Sequence, residues 1–494
     1  MFYRNTLKTK STKEKEFEFN LLEETPNSLS DDKQKLGSTK QVYNFITENG
    51  ALKTGYGFED LKSPQSTTDL EDESVVSLRG NEVKAIWRLK WYNKSADENY
   101  YYIFYYNDEG YICYDNLFML RLATLIVPNT YTEAPFATYY RSDQQDALLL
   151  SGEGNNLMVI TGDGVDTCDS APLIKSCCSH YGMLFAVTAS ASSTLVCNTD
   201  TEITNWTDEK TSNLDFSDER GDLNKIISFD DYLYIFRDYG ITKLSIYSSD
   251  DEFSINHMYM SDSYIYPNSI AQGGDNVYFL ERSGLKAFNG SSVNDVEIDC
   301  IDLIKKCDQS RCWATSFDGK YYLACRCDFN DGKQVGCEGY SDGYVNNALI
   351  IYDYQTGHVD IVRGVDINQV LALNNPLKAK LVACFNNQYK GKIGQLTRDG
   401  KLFGSELANL WQSTKNDLGY HGQKKRIKSI AIKSLSDAEI TISSETMTKS
   451  YSITGKTSIQ KIRTSVFGNE FSVKIKAQGD INISNVVLTA SVIQ

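Results

Sequence analysis

The sequence predicts an all-β chain: a β-propeller of about seven blades, with six to eight possible, an extended N-terminal arm and a small C-terminal antiparallel β-sandwich. Three observations predict this fold class. The chain contains 32 Tyr, 12% aromatic residues and only seven Pro among 494 residues, which favours strands over helices. A meander of short strands recurs through the middle of the chain. The last part of the chain alternates strictly between apolar and polar side chains.

The recurring meander is clearest in residues 226–246, with the sequence IISFDDYLYIFRDYGITKLSI. Apolar or alternating runs are separated there by two acidic turn signals, a pattern typical of a three-stranded meander. The outline returns at intervals of 36 to 59 residues, with central runs that begin near Asn99, Gln145, Tyr181, Asp230, Asp275, Asp318 and Leu377. Because one meander cannot cover its own apolar face, such units stack around an axis and close into a propeller.

Three domains follow from these patterns. Residues 1–60 form an N-terminal arm and hairpin, residues 61–415 the propeller, and residues 416–494 the sandwich. In the first domain, Asn49 and Gly50 are a type I′ turn signal, which predicts a tight hairpin. The insertion at residues 328–344 predicts a hairpin or loop that projects from its blade. The C-terminal alternation predicts a sheet sandwich of about six strands.

Charge and cysteine content limit the function classes. The net charge of −15 argues against sequence-independent binding of nucleic acid or of an anionic membrane. Residues 420–494 nevertheless contain eleven Lys or Arg and five Asp or Glu, a net charge of +6. Residues 1–60 contain nine and ten, a net charge of −1, so residues 61–419 carry −20. The twelve Cys are scattered and indicate buried reduced thiols. We see no secretory signal and no apolar membrane span, so we expect a protein made in a cytoplasm without a membrane anchor.

Enzymatic chemistry finds no positive support in the sequence. The four His lie outside any recognisable catalytic constellation, and the pair Cys178 and His180 is more simply an edge histidine beside a buried thiol. The spacings from Cys300 to Cys337 lack the paired C-x2-C knuckles of structural zinc. We therefore expect no enzyme activity, no cofactor and no metal, and we name no catalytic, cofactor-binding or metal-binding residue.

Three stretches resemble a known family. The first comprises residues 29–34, 44–45 and 50–57, the second residues 195–206, 221–227 and 234–241, and the third the strand that begins at Lys425 and the hairpin at residues 461–475. Together they resemble the tail and neck β-propeller proteins of tailed bacteriophages, of the tail-nozzle or head-completion type. The similarity consists of turns and blades over nearly the whole chain. The Cys content is high for that family.

The resemblance implies a virion structural protein of the phage tail or neck. Its copies would form a homo-oligomeric ring, expected to be a hexamer, that contacts other tail or adaptor proteins. Double-stranded DNA would pass through the ring without specific binding during genome ejection. Assembly residues are hypothesised from the matched segments; they are Asn44, Gly50, Leu52, Gly57, Lys425 and Arg426.

Two other functions stay open at this level. A host-surface or glycan-binding tail propeller would use aromatic side chains such as Tyr140, Trp206 and Trp313 as stacking platforms, although blade core is the commoner role for such residues. A propeller glycosidase would need paired carboxylates at the propeller mouth. We rank the glycosidase last.

Overall fold

The structure is a computed structural model, and it is nearly all β, with 63% strand and 3% helix. This confirms the predicted fold class. The described residues are 16–20, 39–61, 82–93, 97–107, 112–116, 124–126, 131–141, 146–161, 164–199, 203–207, 209–246, 253–298, 300–329, 344–373 and 380–493.

The chain divides into two compact units. The propeller unit comprises Glu59–Val359 and Gly364–Leu396, and the sandwich unit comprises Met1–Phe58, Asp360–Arg363 and Thr397–Gln494. The sandwich unit is therefore not continuous in sequence. Both chain termini and a short internal segment contribute to it.

Seven blades make up the propeller within the described residues, and the first three strands of each form an antiparallel meander. The fourth strand of blade 7 comes from the N-terminal segment. The strands of blade 1 are Val83–Asn93, Glu98–Asn107, Ile112–Asn116 and Thr124–Ile126, and those of blade 2 are Phe136–Arg141, Asp146–Ser151, Leu157–Thr161 and Gly164–Cys168. Blade 3 has Ile174–His180, Met183–Thr188, Thr194–Asn198 and Thr211–Asp215, and blade 4 has Leu223–Phe229, Tyr232–Arg237, Gly240–Ile246 and Phe253–Met260. Blade 5 has Ala271–Gly273, Asn276–Glu281, Gly284–Phe288 and Val293–Asp295, and blade 6 has Trp313–Phe317, Lys320–Cys325 and Asn346–Asp353. The long strand Val359–Leu373 follows blade 6 in the same sheet and leads into blade 7; its residues Asp360–Arg363 belong to the sandwich unit. Blade 7 has the end of Val359–Leu373, Lys380–Phe385, Ile393–Thr397 and the end of Gly57–Asp60. The described helices are an α-helix at Ile301–Lys305 and 3-10 turns at Pro267–Ser269 and Asn387–Tyr389.

Local turn chemistry explains why these segments become meanders. Asp230 and Asp231 both have positive φ, 49° and 61°, as a two-residue type I′ turn requires. They join the first two strands of blade 4, in which Phe229 lies opposite Tyr232. Short polar side chains tolerate this left-handed backbone better than β-branched ones do.

Apolar side chains fill the seams between neighbouring blades. In the seam between blades 3 and 4, Phe185, Leu195, Leu233 and Ile235 are all buried in one cluster. The ring also closes: Ile86 and Tyr105 of blade 1 share a cluster with Val382 of blade 7. At the outer edge of blade 7, the Leu61 amide donates to the Ile393 carbonyl at 2.9 Å. An N-terminal segment therefore completes the last blade.

Two sheets face each other in the sandwich unit. The first has the order Phe45–Glu48, Ala51–Thr54, Asn482–Val492, Lys425–Ser434 and Lys456–Gly468, and the second Thr39–Tyr43, Leu410–Ser413, Phe471–Ala477, Ala438–Ser444 and Thr448–Ile453; Lys401–Leu402 and Ser405–Glu406 form a short hairpin. Buried Leu52, Trp411, Ile430 and Ile475 belong to the core between these sheets.

The predicted boundaries differ from these units, and the reason is long-range pairing. The N-terminal hairpin belongs to the sandwich, because Ala51–Lys53 pair with 482–484. Residues 397–415, predicted as propeller, also belong to it, since Trp411 pairs with Ile475. Glu59 and Asp60, predicted in the first domain, belong to the propeller unit.

Part of the predicted N-terminal arm is described as a strand. Glu16–Asn20, which we call the arm strand, pairs antiparallel with Asn482–Val492, with Glu16 opposite Ser491 and Asn20 opposite Val487. The rest of residues 1–38 lies outside the described residues. Most of the predicted projecting insertion, residues 330–343, also lies outside them.

Candidate functional site: the central channel of the propeller

A central channel with a volume of about 560 Å³ runs between the first strands of the blades. All seven blades contribute to its lining, either through these strands or through the segments just before them. Because the first strands present a polar residue between apolar ones, the channel wall carries hydrogen-bonding groups and the apolar neighbours enter the seams.

Side chains of the first strands bridge to the backbone of the next blade. Thr138 Oγ donates to the Cys177 carbonyl and accepts from the Cys177 amide, both at 3.1 Å. Ser176 makes the same pair of bonds with Ile226, at 3.4 and 3.1 Å. Gln369 accepts from the Ile86 amide at 2.9 Å and donates to its carbonyl at 2.7 Å. These bridges satisfy backbone groups that no neighbouring strand reaches.

Lys225 occupies the equivalent position in blade 4. Its ammonium donates to the Ile270 carbonyl of blade 5 at 2.7 Å. Burial lowers the pKa of Lys225 from 10.5 to about 8, because a charge loses hydration in the channel wall. Thus Lys225 makes its bridge with a cationic side chain, whereas Thr138, Ser176 and Gln369 use neutral ones.

Two further cations line the channel. Arg88 of blade 1 donates through Nη1 to the Ala372 carbonyl at 2.6 Å, and its guanidinium lies 5.7 Å from the centre of the Tyr139 ring. The Tyr139 hydroxyl accepts from the Arg88 amide at 3.0 Å. Lys175 of blade 3 also lines the channel, and among the described residues it has no hydrogen-bond or ion-pair partner.

The described lining contains no Asp, Glu, His or Cys. Its titratable groups are Arg88, Lys175, Lys225 and the tyrosines Tyr139 and Tyr264. Burial raises the pKa of both tyrosines, and Asp238 nearby raises that of Tyr264 further. Neither phenol therefore supplies negative charge near neutral pH. The channel is cationic in a chain whose net charge is −15.

The hypothesised assembly residues lie in the sandwich unit, and four of them are buried. Asn44, with φ of 57°, donates to the Arg363 and Ala408 carbonyls at 3.1 and 2.7 Å and accepts from the Arg363 amide at 2.8 Å. Leu52 is a core residue. A Cβ at Gly57 would lie 2.1 Å from the Lys401 carbonyl oxygen.

The basic pair at the start of Lys425–Ser434 divides between interior and surface. Lys425 is 1% exposed and donates to the carbonyls of Tyr420 and Asn469 at 2.6 and 2.8 Å. Arg426 is half-buried, with its guanidinium 5.5 Å from the centre of the Phe467 ring. Gly50 is exposed in the predicted hairpin turn, where its φ is 67° and that of Asn49 is 52°.

The aromatic residues proposed as glycan platforms have different environments. Trp206 is 5% exposed and its indole N–H donates to the Ile203 carbonyl, so it belongs to a blade core. Trp313 is half-buried and lines the central channel. The side chain of Tyr140 is outside the described set.

The structure describes the environment of Cys177, Cys178 and His180, all in the first strand of blade 3. Burial raises the pKa of Cys177 to about 12 and raises that of Cys178 well above its ordinary value. Burial lowers the pKa of His180, whose Nδ1 lies 3.1 Å from Ser228 Oγ.

No group of three His, Cys, Asp or Glu side chains in the described ranges has the geometry to hold a metal ion. No described helix is long and apolar enough to cross a membrane.

Comparisons with known proteins give only distant likenesses to solved structures. No protein-family model and no curated protein matches this chain. Solved structures that resemble it are propeller proteins. The BBS1 N-terminal domain, in complex with ARL6, is 10% identical, with a TM-score of 0.40, over 64% of this chain and 91% of that one. BamB from Moraxella catarrhalis is 11% identical, with a TM-score of 0.34, over 64% and 97%. YCF48, bound to a D1 peptide, is 8% identical, with a TM-score of 0.37, over 60% and 87%.

Proposed function

We propose that this protein is a structural subunit of a tailed-bacteriophage tail or neck, and that its copies assemble into a ring. Double-stranded DNA would pass through the lumen of that ring during genome ejection, without specific binding. The sequence resemblance described above is the first support for this proposal. It covers the N-terminal hairpin, blades 3 and 4, and the C-terminal strands.

The arm strand carries the proposal. Its five residues pair along the edge of Asn482–Val492 without forming a hairpin with that strand. A strand of this kind can pair in the same way with another copy, because the exchanged partner offers the same backbone groups. If the arm strand of one copy pairs with Asn482–Val492 of the next copy, a ring can form with the same backbone hydrogen bonds that the single chain makes.

The charge distribution is the second support. Residues 61–419 carry −20, and residues 420–494 have an excess of Lys and Arg. Patches of opposite charge on one subunit favour contacts between copies, and such contacts close into rings when the rotation between copies allows. An acidic wall would also repel phosphates, so that DNA does not adhere on its way through.

The test compares two truncations. One variant lacks residues 1–15 and keeps the arm strand, and the other lacks residues 1–20 and loses it. We expect rings from the full chain and from the shorter truncation, in native mass spectra and in negative-stain images. The longer truncation should give folded monomers, because the hairpin and the strand Thr39–Tyr43 remain.

Two results would count against the proposal. A full chain that stays monomeric at high concentration would contradict the ring. Rings that form equally well without the arm strand would contradict its role in exchange.

A further inference from the structure

We propose that the central channel of the propeller binds a small organic anion, in which a phosphate or carboxylate group is attached to an apolar or aromatic body. This inference concerns the propeller unit alone and does not depend on the virion role. The channel volume of about 560 Å³ falls within the range of sites for small molecules.

The charge of the lining is the first argument. Arg88, Lys175 and Lys225 line one cavity, and no described lining residue is a carboxylate. Each of these cations is half-buried, and a counter-ion would offset the partial loss of hydration of its charge. Residues 61–419, which include the propeller, are rich in Asp and Glu. A shortage of acidic residues in the chain therefore does not explain why the described channel lining has none. An anion in the channel would supply the missing charge.

Comparison of the blades provides the second argument. Thr138, Ser176 and Gln369 bridge adjacent blades with neutral side chains. Lys225 makes an equivalent bridge to Ile270, but it uses one donor of an ammonium that has three. Since a neutral side chain suffices for the bridge elsewhere, the charge of Lys225 is not needed to join blades 4 and 5. Its remaining donors are suited to an anionic ligand.

Arg88 and Lys175 provide the third argument. Arg88 uses Nη1 for the Ala372 carbonyl, and a guanidinium has further donors in a planar fork that fits phosphate or carboxylate oxygens. Lys175 has no partner among the described residues. A ligand that contacts these groups would form charge-assisted hydrogen bonds in a partly enclosed site, where such bonds are stronger than in water.

Aromatic side chains define the rest of the ligand. Phe136, Tyr139 and Tyr264 line the channel and are 44%, 43% and 37% exposed. Rings of this size are normally covered in a propeller interior. Their exposed faces offer an apolar wall to a ring or hydrocarbon group. The favoured ligand therefore has an anionic head and an apolar body, unlike inorganic phosphate.

The experiment is calorimetric titration of the full chain with phenyl phosphate, inorganic phosphate and phenylacetate at low ionic strength. We expect phenyl phosphate to bind more tightly than inorganic phosphate, because only phenyl phosphate has a ring for the aromatic wall. The comparison of phenyl phosphate with phenylacetate distinguishes a phosphate site from a carboxylate site.

Three substitutions locate the bound anion. Lys225→Gln and Lys175→Gln should each weaken phenyl phosphate binding about tenfold or more, the usual effect of losing a charge-assisted hydrogen bond. Lys210→Gln is the matched control, since Lys210 is exposed in blade 3 and is not a lining residue. The affinity of this control should equal that of the unmodified chain. Lys175→Gln is expected to fold normally, because Lys175 has no hydrogen-bond or ion-pair partner in the part of the chain that the structure describes.

The proposal is overturned if none of the three probes binds the full chain at millimolar concentration. It is equally overturned if Lys225→Gln and Lys175→Gln bind phenyl phosphate as tightly as Lys210→Gln does, since the anion would then lie elsewhere.

Discussion

Blade 4 contains two cations in opposite situations, the buried Arg237 and the half-buried Lys225. Arg237 is 0% exposed, and its guanidinium contacts Asp218 Oδ2 at 2.8 Å, the Gly221 carbonyl at 2.7 and 3.1 Å, and the Phe216 carbonyl. Lys225 has one carbonyl partner and no acidic neighbour in the described channel lining. The difference indicates which group is structural. A cation with a complete set of partners stabilises the fold, and one with an incomplete set is available to a ligand.

Replacement of Arg237 should have the largest effect on stability. In Arg237→Met, the Gly221 carbonyl loses its donor, the Phe216 carbonyl keeps only the Asp218 amide, and the Asp218 carboxylate loses its ion pair with Arg237. We therefore expect a loss of about 3 to 5 kcal/mol in the free energy of unfolding. Urea denaturation followed by tryptophan fluorescence measures this value. If Arg237→Met lost no more free energy of unfolding than Lys225→Gln, the structural role of Arg237 would be contradicted.

Asn44 extends the comparison to the sandwich unit. Its amide makes three hydrogen bonds, to Arg363 and Ala408, and its φ is 57°. Asn44→Ala removes these bonds and places alanine in a left-handed conformation, so we expect a loss of about 2 to 3 kcal/mol. Asn44→Gly retains the backbone freedom and should lose less. Equal losses in the two variants would show that the backbone conformation contributes nothing.

Lys225 should have the smallest effect on stability, and that effect should depend on pH. Burial lowers its pKa from 10.5 to about 8. Between these values the unfolded chain binds more protons than the folded chain, so stability rises with pH. The cost of burying the charge is fully present below about pH 8 and is relieved above it.

Lys225→Gln should therefore be as stable as the unmodified chain, or slightly more stable, near about pH 7, by less than about 1 kcal/mol. This advantage should disappear as the pH approaches about 10. Denaturation curves at several pH values, with Lys210→Gln as control, measure the difference. If the free energy of unfolding changed with pH in the same way in the unmodified chain and in Lys225→Gln, a lowered pKa of Lys225 would be contradicted.

Short-range patterns made the propeller predictable. The turn at Asp230 and Asp231 and the hairpin turn at Asn49 and Gly50 have local signals, and each has the positive φ that its residues favour. Seven repeats of the meander were visible in the same way. The pairing of Ala51–Lys53 with 482–484 was not, because no local pattern reveals which distant strand an edge will meet.

The channel was not predictable from the sequence. Lys175 follows Ile174 and Lys225 precedes Ile226, so each looks like the polar residue of an alternating strand. Their common environment depends on how the blades close around the axis. The sequence nevertheless contains one indication of the channel. When the first strands of the blades are aligned, Lys225 occupies the position of Thr138 and Ser176 and is charged where they are neutral. The assembly residues rest on the family resemblance, and no local sequence pattern shows that Asn44, Leu52, Gly57 and Lys425 are buried.

The most direct test of the channel as an anion site is an anomalous diffraction experiment on crystals of the full chain soaked in 4-bromophenyl phosphate, whose bromine gives the anomalous signal. We expect a bromine peak inside the channel, beside the rings of Phe136, Tyr139 or Tyr264, that is lost in Lys225→Gln crystals soaked in parallel. Bromine peaks confined to the outer surface, with none in the channel, would contradict the account.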